Sequence, residues 1–273
     1  MVGERGSHFA LVEIMTAGGV ARRFLNVFLI LLFVYAVSPL LLAQGETGNV
    51  EWRAYAADSA ASKYSPLDQI TADNFSTLDV VWQWESADTH LVYADEHGTS
   101  LVSSDVVFDR LETEDPDLWV TRPRTTRIVA TPIMVDGVLF ISTPLYQAAA
   151  IDARTGKTLW VHDPRTYASG TPAPAPWVHR GVSYWENDGD TRIVWGTGDG
   201  YLIAVDAQTG IPAEDFGENG RVDLVDGLPR ATRGQRDNLN LLPLASQSAP
   251  LVIGDTIIVG SSINDFSITK EMP

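Results

Sequence analysis

Gly196-Thr197-Gly198-Asp199-Gly200 is the stretch of this chain most like a phosphate loop, in which glycines let backbone N–H groups close around an anion. Such a loop follows a strand and opens a helix. Here residues 201–205 follow, with the apolar, β-branched content of a strand, so the segment reads as a hairpin turn. Asn187-Asp188-Gly189-Asp190 offers calcium-type oxygen ligands but lacks the downstream acid of an EF-hand, and it reads as a solvated hairpin loop. The histidines, His8, His90, His97, His162 and His179, show no His-x-x-x-His spacing, and there is no Gly-x-Ser-x-Gly elbow, so hydrolysis has no positive support. The absence of cysteine removes thiol catalysis, disulfides and Cys-bound zinc or iron–sulfur sites. With 19 basic against 35 acidic residues and a net charge of −16, the chain is repelled by nucleic acid and suits a secreted, soluble surface.

The elements that would position any site are short and β-like. Ala150-Ile151-Asp152-Ala153-Arg154-Thr155-Gly156-Lys157-Thr158-Leu159-Trp160 is a strand, an Asp-x-x-Thr-Gly turn and a return strand, and its core recurs 54 residues later as Ala204-Val205-Asp206-Ala207-Gln208-Thr209-Gly210. Two copies at this period indicate a stacked or radial repeat. Apolar runs flank Asp136-Gly137, Asp199-Gly200 and Gly254-Asp255, which is hairpin chemistry. Runs at 131–135, 138–142, 148–152 and 158–162 make one four-stranded antiparallel unit, as in a propeller blade; a second spans 182–216 and a third begins at Ser248. The expected fold is therefore all-β, a β-propeller of four-stranded antiparallel blades, with about two and a half to three blades in this chain. Rings close with about four to eight blades. An open ring bares strand edges, so the sequence is expected to be an N-terminal fragment. No long amphipathic helix is expected after Asn49. Residues 85–127, acidic and then basic at Arg122, Arg124 and Arg127, read as a surface insertion with one strand at 101–108. Trp82, Trp84 and Trp160 occupy strand-like positions and are expected to pack between blades.

Residues 24–43 form an apolar run behind Arg22 and Arg23, broken only by Asn26, Ser38 and Pro39. Residues 1–44 read as a signal peptide, with an N-terminal membrane anchor as the alternative because the run is just long enough to span a bilayer. Residues 45–273 are then the folded, exported part.

Several motifs in order resemble one family. Trp52-x-x-Tyr55-x-x-Asp58, Tyr64-Ser65-Pro66-Leu67-x-Gln69-Ile70, Asn74, Leu78 and Trp82 are similar to the mature N-terminus of pyrroloquinoline quinone (PQQ)-dependent dehydrogenases. His179-Arg180-Gly181-Val182-Ser183-Tyr184-Trp185 resembles their Arg-Gly segment, and Gly260-Ser261-Ser262-Ile263-Asn264-Asp265-Phe266 their Gly-Ser segment with a metal-binding acid. The resemblance implies an eight-bladed periplasmic propeller that oxidises an alcohol or sugar and passes electrons to a quinone or cytochrome c. It implies that Arg180, Ser262 and, at the usual hydroxyl contact, Gln247 or Ser248 hold PQQ. It also implies that Asp265 with Asn264 binds calcium or magnesium as a Lewis acid, and that the catalytic base lies beyond Pro273, leaving this chain alone inactive.

The chain departs from the family where the alcohol-oxidising branch has adjacent cysteines and this sequence has prolines and Trp177. The sugar-oxidising branch has a histidine near Pro176 and an Asp-Asn order in place of Asn264-Asp265, and a cofactor-contacting glutamate is replaced near Val129. The other function class compatible with the blade repeat is a non-catalytic envelope propeller that binds protein partners.

Overall fold

A computed structural model describes residues 51–263 except Ser59, His97, Ala175 and Arg230. The 24–43 run and the Asn264-Asp265 pair lie outside the described residues. Among those described, no helix is long and apolar enough to cross a membrane.

Two four-stranded antiparallel sheets form the centre. In the first, β3 (Ile133–Val135), β4 (Val138–Ser142), β5 (Ala148–Asp152) and β6 (Thr158–His162) lie side by side in sequence order. The second repeats the meander with β7 (Ser183–Asn187), β8 (Asp190–Gly196), β9 (Tyr201–Asp206) and β10 (Arg221–Asp223). β10 begins after position 216, where the sequence placed the end of this unit. The chain first pairs with β9 through Pro212: Asp206 N bonds Ile211 O at 2.8 Å and Ala213 N bonds Ala204 O at 3.0 Å, with the proline opposite Val205 at a position whose N–H the ladder does not use. The chain then loops out over 214–219 and returns to pair Arg221 with Ile203. Two smaller pairings follow, β12 (Leu251–Ile253) with β13 (Thr256–Ile258), and β11 (Leu244–Ala245) with β14 (Ser262–Ile263).

Side-chain alternation sorts the blade faces. Ala148 and Ala150 on β5 face the second sheet, and pack with Phe140, Trp160, Ile193, Trp195, Ile203 and Val205. Ala149, Ile151 and Ile141 face the other way, towards Trp84 and Ala130. On the far face of the second sheet, Val194, Leu202 and Ala204 meet Ile257 and Val259. An inner strand buried on both faces is what a stack of sheets requires, and period-two alternation supplies it.

The Asp-x-x-Thr-Gly turns lock the blades together. Asp152 Oδ1 accepts from Thr155 N and Thr155 Oγ1, both at 2.8 Å, and Asp206 Oδ1 does the same with Thr209 at 2.7 and 2.6 Å. Each turn ends in a left-handed glycine, Gly156 at φ 72° and Gly210 at φ 71°. The indole of Trp160 lies on Gly210 and that of Trp82 on Gly156; a Cβ at either glycine would fall 2.7 Å from the ring. Trp160 Nε1 donates to Ala207 O at 3.0 Å and Trp82 Nε1 to Ala153 O at 3.2 Å. Trp160 of the first blade thus caps the turn of the second, and Trp82, ahead of the first blade, caps the turn of the first, each without orphaning its N–H.

Residues 85–127 hold more than one strand. β1 (His90–Asp95) and β2 (Gly98–Ser103) form a hairpin, and α1 (Ser104–Glu114) follows directly. The expected strand at 101–108 is therefore half strand and half helix. Val107 and Phe108 turn to one side of α1 and are buried, with Leu111 beside them, against Leu91, Leu145, Tyr167 and Trp177. That three-residue stripe is too short to stand out as helical periodicity.

Candidate functional site

The residues nominated by the sequence meet around residues 244–248, a segment lying between the start of the second blade and its β8–β9 turn. Arg180 N donates to Gln247 O at 2.8 Å, and Ser246 N donates to Thr197 O at 3.1 Å. This approach depends on Gly196, because a Cβ there would collide with Ser246 Oγ. Ser262, carried on β14, donates through Oγ to Gln247 Oε1 at 2.9 Å. Arg180, Gln247 and Ser262 are therefore brought together, with Gln247 buried and the Arg180 residue exposed. Ser248, next in sequence, is exposed as well. The Arg180 guanidinium has no hydrogen-bond or ion-pair partner among the described residues.

Behind Arg180 lies a buried polar layer that the motif search did not single out as functional. His179 Nδ1 sits 2.5 Å from Ser142 Oγ and accepts from Gly181 N at 3.4 Å. Burial pushes the His179 pKa down to about 3, so the imidazole is neutral at physiological pH. Its ring meets Tyr146 edge-on, with centroids 5.5 Å apart. His179 Nε2 and Tyr146 Oη are buried without a hydrogen-bond partner among the described residues. Their burial comes from segments distant in sequence, which no local signal announces.

A second unforeseen group pins residues 85–127 to the first blade. Asp88 is fully buried; its carboxylate accepts from Leu145 N at 3.0 Å and Gln147 Nε2 at 2.9 Å. Burial pushes its pKa up to about 7; the nearby Asp163 carboxylate adds to the rise and the hydrogen bonds oppose it. Trp177, at the position of the absent cysteines, is buried and donates through Nε1 to Thr121 O at 2.8 Å. It anchors this segment.

These positions suit an anionic, carbonyl-rich cofactor. Arg180 presents an uncommitted planar fork of donors, suited to a carboxylate or paired carbonyls, and Ser248 and Ser262 add hydroxyls. For a metal ion, the described residues contain no cluster of three Asp, Glu or His ligands.

Comparison with known proteins converges on one family. The profile described as "PQQ: Glucose/ethanol/alcohol dehydrogenase, beta-propeller domain" matches residues 52–273. The quinate/shikimate dehydrogenase (quinone) of Acinetobacter baylyi is 30% identical over 258 residues, covering 86% of this chain and 27% of that protein. The 1-butanol dehydrogenase (cytochrome c) of Thauera butanivorans is 31% identical over 68% of this chain and 22% of its own length. The quinoprotein glucose dehydrogenase of Gluconobacter oxydans is 29% identical over 81% of this chain and 24% of its own length. Among solved structures, the quinohemoprotein alcohol dehydrogenase of Comamonas testosteroni superposes with a TM-score of 0.52 at 24% identity, covering 81% of this chain and 25% of that one. The chain thus spans about a quarter of the length of the curated relatives it matches.

Proposed function

Because this chain belongs to the β-propeller family of PQQ-dependent glucose/ethanol/alcohol dehydrogenases, we propose that it forms one wall of the cofactor site of an oxidoreductase acting on an alcohol or sugar. The observation that carries the reading is that Arg180, whose guanidinium has no partner among the described residues, is bonded through its backbone to Gln247, which also holds Ser262. When bound, PQQ supplies a two-electron acceptor for hydride from the substrate carbon, helped by a calcium-like cation acting as a Lewis acid. Arg180 pairs with an anionic edge of the cofactor, its backbone fixed by Gln247 and its flank by the neutral His179. Ser248 and Ser262 orient through their hydroxyls, and Gln247 holds Ser262 in place. Asp265 and Asn264 are assigned to the cation. The base that takes the hydroxyl proton is assigned to the three quarters of the relatives' length that this chain does not span, which leaves residues 45–273 alone without turnover.

Residues 1–44 are assigned as a secretion signal or anchor, 85–127 as an insertion, and the working compartment as the periplasm. The electron acceptor is assigned as a quinone or cytochrome c; relatives named for each support the two options.

Titration of the full-length protein with PQQ, with and without Ca²⁺, tests the assignment by absorbance. Arg180→Ala should weaken binding by roughly tenfold or more, as expected for loss of a charge-assisted hydrogen bond. Asp265→Ala should abolish the Ca²⁺ dependence. Saturation unchanged by both substitutions would overturn the site.

A further inference from the structure

Three arginines lie within six residues of one another, and their surroundings differ sharply. Arg122 is held by Asp105, Asp109 and Glu112 of α1 at 3.4, 2.8 and 3.0 Å. Arg124 and Arg127 have neither a hydrogen-bond nor an ion-pair partner among the described residues. The chain has 35 acidic residues and a net charge of −16, yet no carboxylate among the described residues pairs with either of these neighbouring arginines. Both line a single cavity of about 290 Å³, together with Thr121, Pro176, Trp177 and Val178.

The cavity has fixed walls. Thr121 O receives both Trp177 Nε1 at 2.8 Å and Thr171 Oγ1 at 3.0 Å, so the strand of chain bearing the arginines is tied to the loop bearing the aromatic and apolar side. Its volume lies just below the range of about 300–1,000 Å³ for small-molecule pockets, which suits a small group, and its lining joins an apolar wall to a few polar groups. Val178, which lines the cavity, is two residues from Arg180 in the chain.

Resting on that reading of the site, we propose that this cavity receives a carboxylate on the substrate, and that the enzyme prefers a hydroxylated acid to the matching neutral alcohol. Arg124 and Arg127 grip the carboxylate, while Trp177 and Val178 pack against the carbon chain. Two guanidiniums in a partly enclosed pocket give a planar, bidentate match to a carboxylate that a neutral polyol cannot use.

The test compares D-gluconate with sorbitol on the full-length, PQQ-loaded protein, by dye-linked turnover and by calorimetric binding. Gluconate should bind about tenfold or more tightly than sorbitol, the scale of a charge-assisted pair. Arg124→Gln combined with Arg127→Gln should erase that preference through KM for gluconate, and Arg127→Lys in place of Arg127→Gln should restore part of it. Equal binding of the two ligands, a preference that survives the double substitution, or tighter binding of inorganic phosphate than of gluconate would each overturn the proposal. Calorimetry separates its failure from failure of the underlying reading. If PQQ does not bind but gluconate still binds in an Arg-dependent way, the carboxylate pocket stands and the cofactor assignment falls; if PQQ binds and gluconate shows no preference, the reverse holds.

Discussion

The seam between the blades and the 85–127 segment solve the same packing problem in different ways. Both bury tryptophans whose N–H groups reach backbone carbonyls: Trp160 and Trp82 in the seams at 3.0 and 3.2 Å, Trp177 and Trp119 around the segment at 2.8 and 2.9 Å. In the seam, each indole covers the left-handed glycine of a turn whose sequence is repeated. In the segment, no repeated turn is covered, and an ionisable carboxyl, Asp88, lies at the contact with the first blade. The seam is thus an aromatic ring on a turn whose sequence is repeated from blade to blade. The segment is a single arrangement, with a buried carboxyl whose pKa burial raises at its contact with the first blade. Variation in the segment can reshape a pocket such as the one lined by Arg124 and Arg127 without touching the seams.

The seam should be the costlier of the two to damage. Trp160→Ala removes a buried ring and leaves a cavity between two sheets, with an expected loss of about 3–5 kcal/mol. Gly210→Ala attacks the same contact from the other side, since its Cβ would press on the indole and the backbone would stay at φ 71°. Denaturant unfolding followed by tryptophan fluorescence should show both variants losing stability across the blades together. If either loses stability only in the 85–127 segment, the seam is not the common support described here.

The segment should differ from the seam in its response to pH. Asp88 titrates near 3.8 when free and at about 7 when buried, so the folded state holds the proton longer. Its contribution is therefore fully present below the free value and declines as pH rises through the folded one, a span worth on the order of a few kcal/mol. Asp163 faces Asp88 and, also raised by burial, acts in the same direction. Amide exchange in residues 88–119, corrected for intrinsic rates, should show protection falling from about pH 4 to about pH 7 and levelling above it, while β5 and β9 change little. Asp88→Asn keeps an acceptor for Leu145 N and should flatten that profile. An unchanged profile in the variant would remove Asp88 as the docking proton.

The contrast between regions is also a contrast in what could be read from the residues. The blades were legible because their rules are local: Asp136-Gly137 and Asp188-Gly189 take the positive φ values of tight hairpin turns, and alternation along β5 marks two buried faces. Arg180, Gln247 and Ser262 were reachable through motif order, and the structure brings them together. Asp88, His179 and Tyr146 were not, because what makes them unusual is burial by residues far away in the chain; Asp88 bonds partners 57 and 59 positions on. The strand-to-helix change at Ser103 and Ser104 was hidden because residues 101–108 are rich in apolar and β-branched types, and only docking against Tyr167 and Trp177 decides their conformation.

Arg122 sharpens the comparison at its smallest scale. It has three carboxylate neighbours, the largest number for any arginine in the segment, and a count of ion pairs would make it the chief electrostatic support of α1. Its side chain is 36% exposed and those of Asp105 and Asp109 are 81% and 71% exposed, so water and salt screen all three contacts. Arg122→Ala should therefore cost only about 0.2–1 kcal/mol, and less in high salt. A larger, salt-independent loss would assign the effect to the guanidinium lying over the Phe108 ring at 5.5 Å, and would make Arg122 part of the segment's packing.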